Sequence, residues 1–263
     1  MNMMRFTTMK TKLRKYPSIF LILLLAISSC FLTGCVNQHP KDSKKSSQGE
    51  SVETMLEITD PKEKQAVLNA KAKVKALSGN PRIVATSPAV ADICDKLDLD
   101  LVGVPKSSVS KIPSRYKKVK KVGLAMSPDM EIVSSLNPDW ILAPSSLETD
   151  LKPKFEELKN TEYAFLNLRS VQGMYRSVQE LGEIFGKQQE AEKMTKEFTT
   201  FYKSYTKRNK NKKHPKVLVL MGLPGSYVIA TENSYVGSLV KLAGGENVYQ
   251  NTDQEFLTVN TED

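Results

Sequence analysis

Pro81-Arg-Ile-Val-Ala-Thr-Ser-Pro-Ala-Val-Ala-Asp-Ile-Cys-Asp-Lys-Leu-Asp-Leu-Asp-Leu-Val-Gly-Val104 sets the fold class. Residues 82–85 form a short apolar run that reads as a buried strand. Ser87-Pro88 then supplies an N-cap hydroxyl and a first-turn proline for a helix over 89–97. Residues 101–104 are the next strand. The alternation continues outward from there. Residues 119–122 read as a strand. Ser127-Pro128 opens a second helix, with Asp129 and Glu131 in its first turns, that ends near Leu136. Asn137-Pro138-Asp139 is a turn and 140–143 a buried strand, followed by a helix over 151–159 and a strand over 163–166. Strands alternating with helices at this spacing indicate a parallel α/β sheet.

The rhythm then changes. Residues 174–210 carry a helical pattern interrupted at Gly186. Within it, Ala191, Met194, Phe198, Phe201, Tyr202 and Tyr205 recur at roughly helical spacing. A helix of about twenty residues is ~30 Å long, which suits a rigid strut between two lobes. A strand over 216–221, a strand over 227–230 and a helix over 236–242 follow, the helix closed by Gly244-Gly245. Only about fifty residues follow the strut, whereas a lobe matching the first takes over a hundred. The second lobe is therefore either small or incomplete.

The N-terminus points to export. Arg5, Lys10, Lys12, Arg14 and Lys15 precede an apolar run over 19–31. That run is too short to span a bilayer stably and reads as the core of a signal peptide. It ends in Leu32-Thr33-Gly34-Cys35, an apolar residue and two small residues before a cysteine. This is the lipobox pattern, in which the Cys35 thiol takes a diacylglycerol before cleavage. A plain secretory signal and an uncleaved anchor helix are the competing readings. Ile27-Ser28-Ser29-Cys30 is a weaker box, too early in the run. The expected boundaries are a signal peptide over 1–34 and a lipid-anchored flexible tether over 35–80. Within that tether, 61–77 is able to form a short helix.

Composition narrows the function classes. Five of the 38 basic residues lie in the first 16 positions with no acid among them, so the remainder sets 33 against 29 acidic residues, a net of +4. That balance does not argue for nucleic acid. The basic run over 207–213 holds no aromatic residue and reads as a cationic helix C-terminus. With Cys30 lost in the signal and Cys35 acylated, Cys94 is left without a disulfide partner, and no metal site of clustered cysteines is possible. There is no Gly-x-Ser-x-Gly elbow and no nucleotide-binding glycine loop, so no catalytic residues are assigned and an enzyme is not expected.

Ser127-Pro-Asp-Met-Glu-Ile-Val-Ser-Ser-Leu-Asn-Pro-Asp-Trp-Ile-Leu142 and Tyr235-Val-Gly-Ser-Leu-Val-Lys-Leu-Ala-Gly-Gly-Glu-Asn-Val248 resemble segments of the substrate-binding proteins of metal-chelate ABC importers. Arg82-Ile-Val84, Asp95-Lys-Leu-Asp-Leu99, Pro113-Ser-Arg-Tyr-Lys117 and His214-Pro-Lys-Val-Leu-Val-Leu-Met-Gly-Leu-Pro-Gly-Ser-Tyr227 are similar, more narrowly, to the haem-binding lipoproteins of iron-regulated surface determinant systems. The similarity runs over roughly 81–263. It implies an α/β fold of two Rossmann-like lobes joined by a single long backbone helix, with the second lobe incomplete in this chain. The lobes are expected over 81–170 and 214–263, with linking helices over 171–213. The implied function is capture of haem (iron protoporphyrin IX) and delivery to an ABC permease and its ATPase. Cell-wall haem-relay proteins are implied as donors, at the outer face of the cell membrane.

The resemblance also assigns residues. Met126 matches an axial methionine, whose neutral thioether suits haem iron. A core methionine is its plain alternative. Ser87, with the amides of Ala89 and Val90 at a helix N-terminus, and Lys111 are implied as propionate partners. Glu131 matches an acid that pairs with permease arginines, though a first-turn glutamate is also favoured by the helix dipole. His39 and His214 match no ligand, so the chain is expected to offer one axial ligand and bind haem weakly. A siderophore or cobalamin receptor, a lipid-anchored hydrolase and an adhesin are the other readings. Cys35→Ser is expected to abolish metabolic palmitate labelling and release the protein from membrane fractions. Membrane retention of the unlabelled variant would contradict the lipobox reading.

Overall fold

The computed structural model describes residues 52–223 and 226–258. The signal peptide, Cys35, His39 and the first part of the tether lie outside the described residues. The described chain begins with α1 (Val52–Leu56) and α2 (Pro61–Lys75). The α/β body then runs β1 (Ile83–Ala85), α3 (Pro88–Lys96), β2 (Leu101–Val104), β3 (Lys120–Lys121), β4 (Gly123–Leu124), β5 (Ser127–Pro128), α4 (Met130–Ser135), β6 (Trp140–Pro144), α5 (Glu148–Glu156) and β7 (Glu162–Leu166). No described helix is long and apolar enough to cross a membrane.

Five strands form one parallel sheet in the order β3-β2-β1-β6-β7. β1 is central, with Ile83 opposite Leu101 on one side and Trp140 on the other. Alternate side chains go to opposite faces. Ile83, Ala85, Trp140, Leu142, Ala164 and Leu166 join the core under α3, with Val90, Ile93, Leu97, Val178 and Leu181. Val84, Ile141, Ala143, Tyr163 and Phe165 join a second core with Val133, Leu151 and Phe155. Because both faces are covered, the central strands read as continuous apolar runs rather than alternating ones.

α6 (Val171–Phe185) and α7 (Gln188–Asn209) follow, separated at Gly186, whose φ of 71° ends α6 in the left-handed region. At the α6–α7 approach a Cβ on Gly182 would lie 2.6 Å from that of Ala191. The 22 residues of α7 extend ~33 Å. Its start is held to the first core through Ala191 and Met194, and its Tyr205 hydroxyl donates to the Ala243 carbonyl at 2.9 Å. Lys207 and Arg208 sit in its last turn, where the helix dipole favours cations.

Beyond it lie β8 (Lys216–Val217), β9 (Leu220–Leu223), β10 (Ser226–Ala230), α8 (Tyr235–Leu242), β11 (Glu246–Asn247) and β12 (Phe256–Thr258). The single strand expected over 216–221 is two. β8 pairs with β11 in parallel, whereas β9 pairs antiparallel with β10, which also pairs with β12. The Ser238 hydroxyl accepts from the Val171 amide at 3.0 Å, and Arg169 pairs with Glu255, fixing this region to the start of α6.

Two further expectations are corrected. The tether does not run to 80, because Val52, Leu56, Val67 and Ala70 are buried and tie α1 and α2 to the body. The helix expected to open at Ser127-Pro128 opens at Met130, capped by the Asp129 carboxylate, which accepts from the Ile132 amide at 3.1 Å. Leu142 in the central sheet is fully buried and Leu68 on α2 is 53% exposed. Leu142→Ala is therefore expected to cost about 2–5 kcal/mol in denaturant unfolding, and Leu68→Ala no more than about 0.5.

Candidate functional site

All five strands of the parallel sheet point their carboxyl ends to one edge. The order reverses there. From β1 the chain steps through β2 to β3 on one side, while β6 and β7 lie on the other. A crevice opens at such a switch point, because the loops leaving β1 and β6 diverge. This edge holds Ser87 and the first-turn α3 residue Ala89 after β1, Lys111 after β2, Met126 after β3 and Ser145 after β6.

The loop after β1 is built by its cap. Ser87 is buried, and its hydroxyl oxygen accepts from the Val90 amide at 3.2 Å. Thr86 below it is tied by its amide to the Leu142 carbonyl at 3.0 Å. Val90 has no exposed surface and its amide is spent on the cap. It therefore cannot serve an anion, which corrects the expectation for that residue. Ala89 is exposed. Pro88 has no amide to offer.

Met126 occupies a two-residue turn at the tip of a hairpin in which Gly123 faces Pro128 and Leu124 faces Ser127. It is not a core residue, since it is 73% exposed, and Leu124 beside it is 60% exposed. The hairpin is pinned at its base. The Lys106 amide donates to the Gly123 carbonyl at 2.6 Å, Val122 to Val104 at 2.9 Å and Asp129 to Val122 at 2.7 Å. Gly123 adopts φ +99°, and a Cβ there would lie 2.8 Å from the Asp129 nitrogen. A thioether raised on a braced turn is available to a soft metal centre without first being extracted from a core.

Lys111 is exposed on the loop after β2 and lines an open groove of about 1030 Å³ with Lys106, Asp92, Asp95, Lys117 and Lys121. Arg115 braces that loop, reaching Asp98 and Asp100 at 2.8 Å each. Lys187 reaches Asp98 at 3.0 Å from the start of α7. Hydrogen bonds from Lys187 and then Arg115 hold the Asp98 carboxyl below its ordinary range. Glu131 is exposed in the first turn of α4.

His214 is exposed and its Nδ1 lies 2.7 Å from the Gly244 carbonyl, a contact that closes the turn after α8. Cys94 is buried in the first core, and burial pushes its thiol up to about 12, so it is inert packing. The described residues hold no group of three or more His, Cys, Asp or Glu side chains able to bind a metal ion.

The structure thus places Ser87, Lys111 and Met126 in loops, and Ala89 in the first turn of α3, at one sheet edge. Two further residues of that edge were not picked out from sequence. Leu124 gives Met126 an exposed apolar neighbour, and its signal was an unexplained leucine two positions before the methionine. Ser145 follows β6, and its buried hydroxyl has no hydrogen-bond partner. Nothing in its local sequence distinguishes it.

Residues 83–263 match the family described as periplasmic binding protein. The chain is 41% identical over 186 residues to the high-affinity heme uptake system protein IsdE of Staphylococcus aureus strain Newman, covering 70% of this chain and 63% of that protein. Among solved structures it resembles an ABC transporter substrate-binding protein from Listeria monocytogenes EGD-e, at 46% identity and a TM-score of 0.64, covering 70% of each chain. S. aureus IsdE complexed with heme is similar at 40% identity and a TM-score of 0.64, covering 70% of this chain and 71% of that one. These relatives are substrate-binding transport proteins, not enzymes. The chain spans 63% of the length of the curated relatives it matches.

Gly123→Ala is expected to cost about 1–3 kcal/mol through backbone strain and to loosen the hairpin. A thermal or denaturant midpoint equal to that of the parent would show that the hairpin is not held as described.

Proposed function

The chain belongs to the periplasmic binding protein family, and from that premise we propose that it is an extracytoplasmic receptor that captures haem and delivers it to an ABC permease. The observation that carries this reading is Met126. Its side chain is 73% exposed at the tip of a braced turn with Leu124 exposed beside it, so the pair presents an apolar surface that a flat apolar ligand can cover. The Met126 thioether is neutral and soft, so it can hold haem iron without adding charge. Likeness to IsdE complexed with heme supports the same cargo.

In this reading Met126 is an axial ligand to the iron of the cargo. The Ala89 amide, the Ser87 hydroxyl and Lys111 serve the propionates, and the Val90 amide drops out. Leu124 packs beside the macrocycle. Glu131, exposed on α4, meets cationic residues of the permease. The acylated Cys35 keeps the body near that permease and its ATPase at high effective concentration. Cell-wall haem-relay proteins supply the cargo. Delivery needs no catalysis, since an axial ligand leaves by exchange. His214 is committed to the Gly244 carbonyl, so the described residues offer Met126 as an axial ligand without a matching histidine.

Titration of the protein with haemin, followed in the Soret region, tests this. The parent protein is expected to give a bound spectrum. Met126→Ala is expected to alter that spectrum and weaken binding by about tenfold or more, ~1.4 kcal/mol. A parent protein without any haem-dependent shift would end the haem reading, and an unaltered spectrum in the variant would remove Met126 from it.

A further inference from the structure

Helices α1 and α2 lie outside the residues that match the family, yet they are fastened onto α6. Val52 and Leu56 of α1 and Val67 and Ala70 of α2 are buried. Arg176 on α6 donates through Nη2 to the Met55 carbonyl at 2.7 Å. Lys71 pairs with Glu183 on α6, and Lys73 pairs with Glu162 on β7.

Under this segment lies Glu180. It has no exposed surface, and its carboxyl oxygens meet no donor but the Glu63 carboxyl, with which a hydrogen bond forms only through a retained proton. Arg176, one turn earlier on the same helix, has a buried Nε that is unpartnered. Native interiors seldom leave such groups unsatisfied, and a carboxyl placed this way normally carries a proton. The titratable groups facing it are Glu63 from α2 and Arg176 from its own helix. From α1 comes the Met55 carbonyl, held through Arg176. Burial, and then the Glu63 carboxyl, push Glu180 up to about 9, against a smaller opposing pull from Arg176.

We propose that residues 52–75 form a pH-released clasp. With a proton on Glu180 the two helices stay docked on α6. Loss of that proton to water leaves the Glu180 carboxylate facing Glu63 across the α2–α6 contact, and the segment lets go. The sign follows from linkage. The docked state keeps a proton that the released state gives up between the ordinary carboxyl value and about 9. Docking therefore weakens as pH rises through that window and levels off above it. The clasp lies between Cys35 and the α/β body, so its release lengthens the chain joining them. None of this depends on the cargo.

Limited trypsin digestion of the full chain at pH 6, 7 and 8 tests the clasp. Cleavage after the lysines of α2 is measured against cleavage in the exposed basic stretch 207–213 of the same sample, which removes the pH dependence of the protease. When opening is fast relative to cleavage, the ratio follows the open population. The parent ratio is expected to rise by up to about tenfold per pH unit. Glu180→Gln, which cannot ionise, is expected to give a flat ratio. A flat parent ratio, or the parent's slope persisting in Glu180→Gln, would overturn the clasp. Should Glu180→Gln fail to fold, hydrogen exchange of the α2 amides in the parent gives a second reading, with protection factors expected to fall as pH rises from 6 to 8 and pH-independent protection overturning the proposal.

Discussion

β1 is three residues long, yet it carries hydrogen-bonded parallel neighbours on both flanks, β2 on one side and β6 on the other. That double pairing orders the rest of the body. Two parallel neighbours require crossovers, and the crossovers place helices on both faces of the sheet. They also send every loop that follows a strand to the same edge. β1 is the point from which the two halves of the sheet run in opposite directions, so the loops after β1 and β6 part. The proposed ligand residues are gathered by this topology and not by their closeness in sequence.

At that edge the structure braces loops more than it fills them. Arg115 and Lys187 converge on Asp98, joining the loop before β3, the end of α3 and the start of α7. The Met126 hairpin is clamped at its base by backbone hydrogen bonds to β2 and to the residues that open α4. Rigid supports of this kind lower the entropy lost when a ligand is taken up. The apolar tip they carry, Leu124 with Met126, remains in water.

Much of this was legible in the sequence. Ser87-Pro88 announced the α3 cap, Gly186 the break between α6 and α7, and the apolar runs announced the central strands. The same Ser-Pro signal misled at Ser127-Pro128. There the pair is held in a hairpin strand by Gly123 and by the Asp129 amide on Val122, and Asp129 supplies the cap instead. The strand expected over 216–221 changes partner part-way, which no local propensity encodes. Val90 was misjudged because a helix N-terminal amide is free only if the cap has not taken it. The docking of α2 was hidden because its residues are mostly charged. The burial of Glu180 depends on α2, a segment far from it in sequence.

A crystal structure of the haem-loaded protein bears most directly on the claim that the carboxyl edge of the sheet is the binding site. The account expects the macrocycle to lie over the loops that follow β1, β2 and β3, with the Met126 sulfur on the iron and Leu124 against the ring. Haem bound away from that edge, or iron held there with the Met126 sulfur uncoordinated, would contradict it.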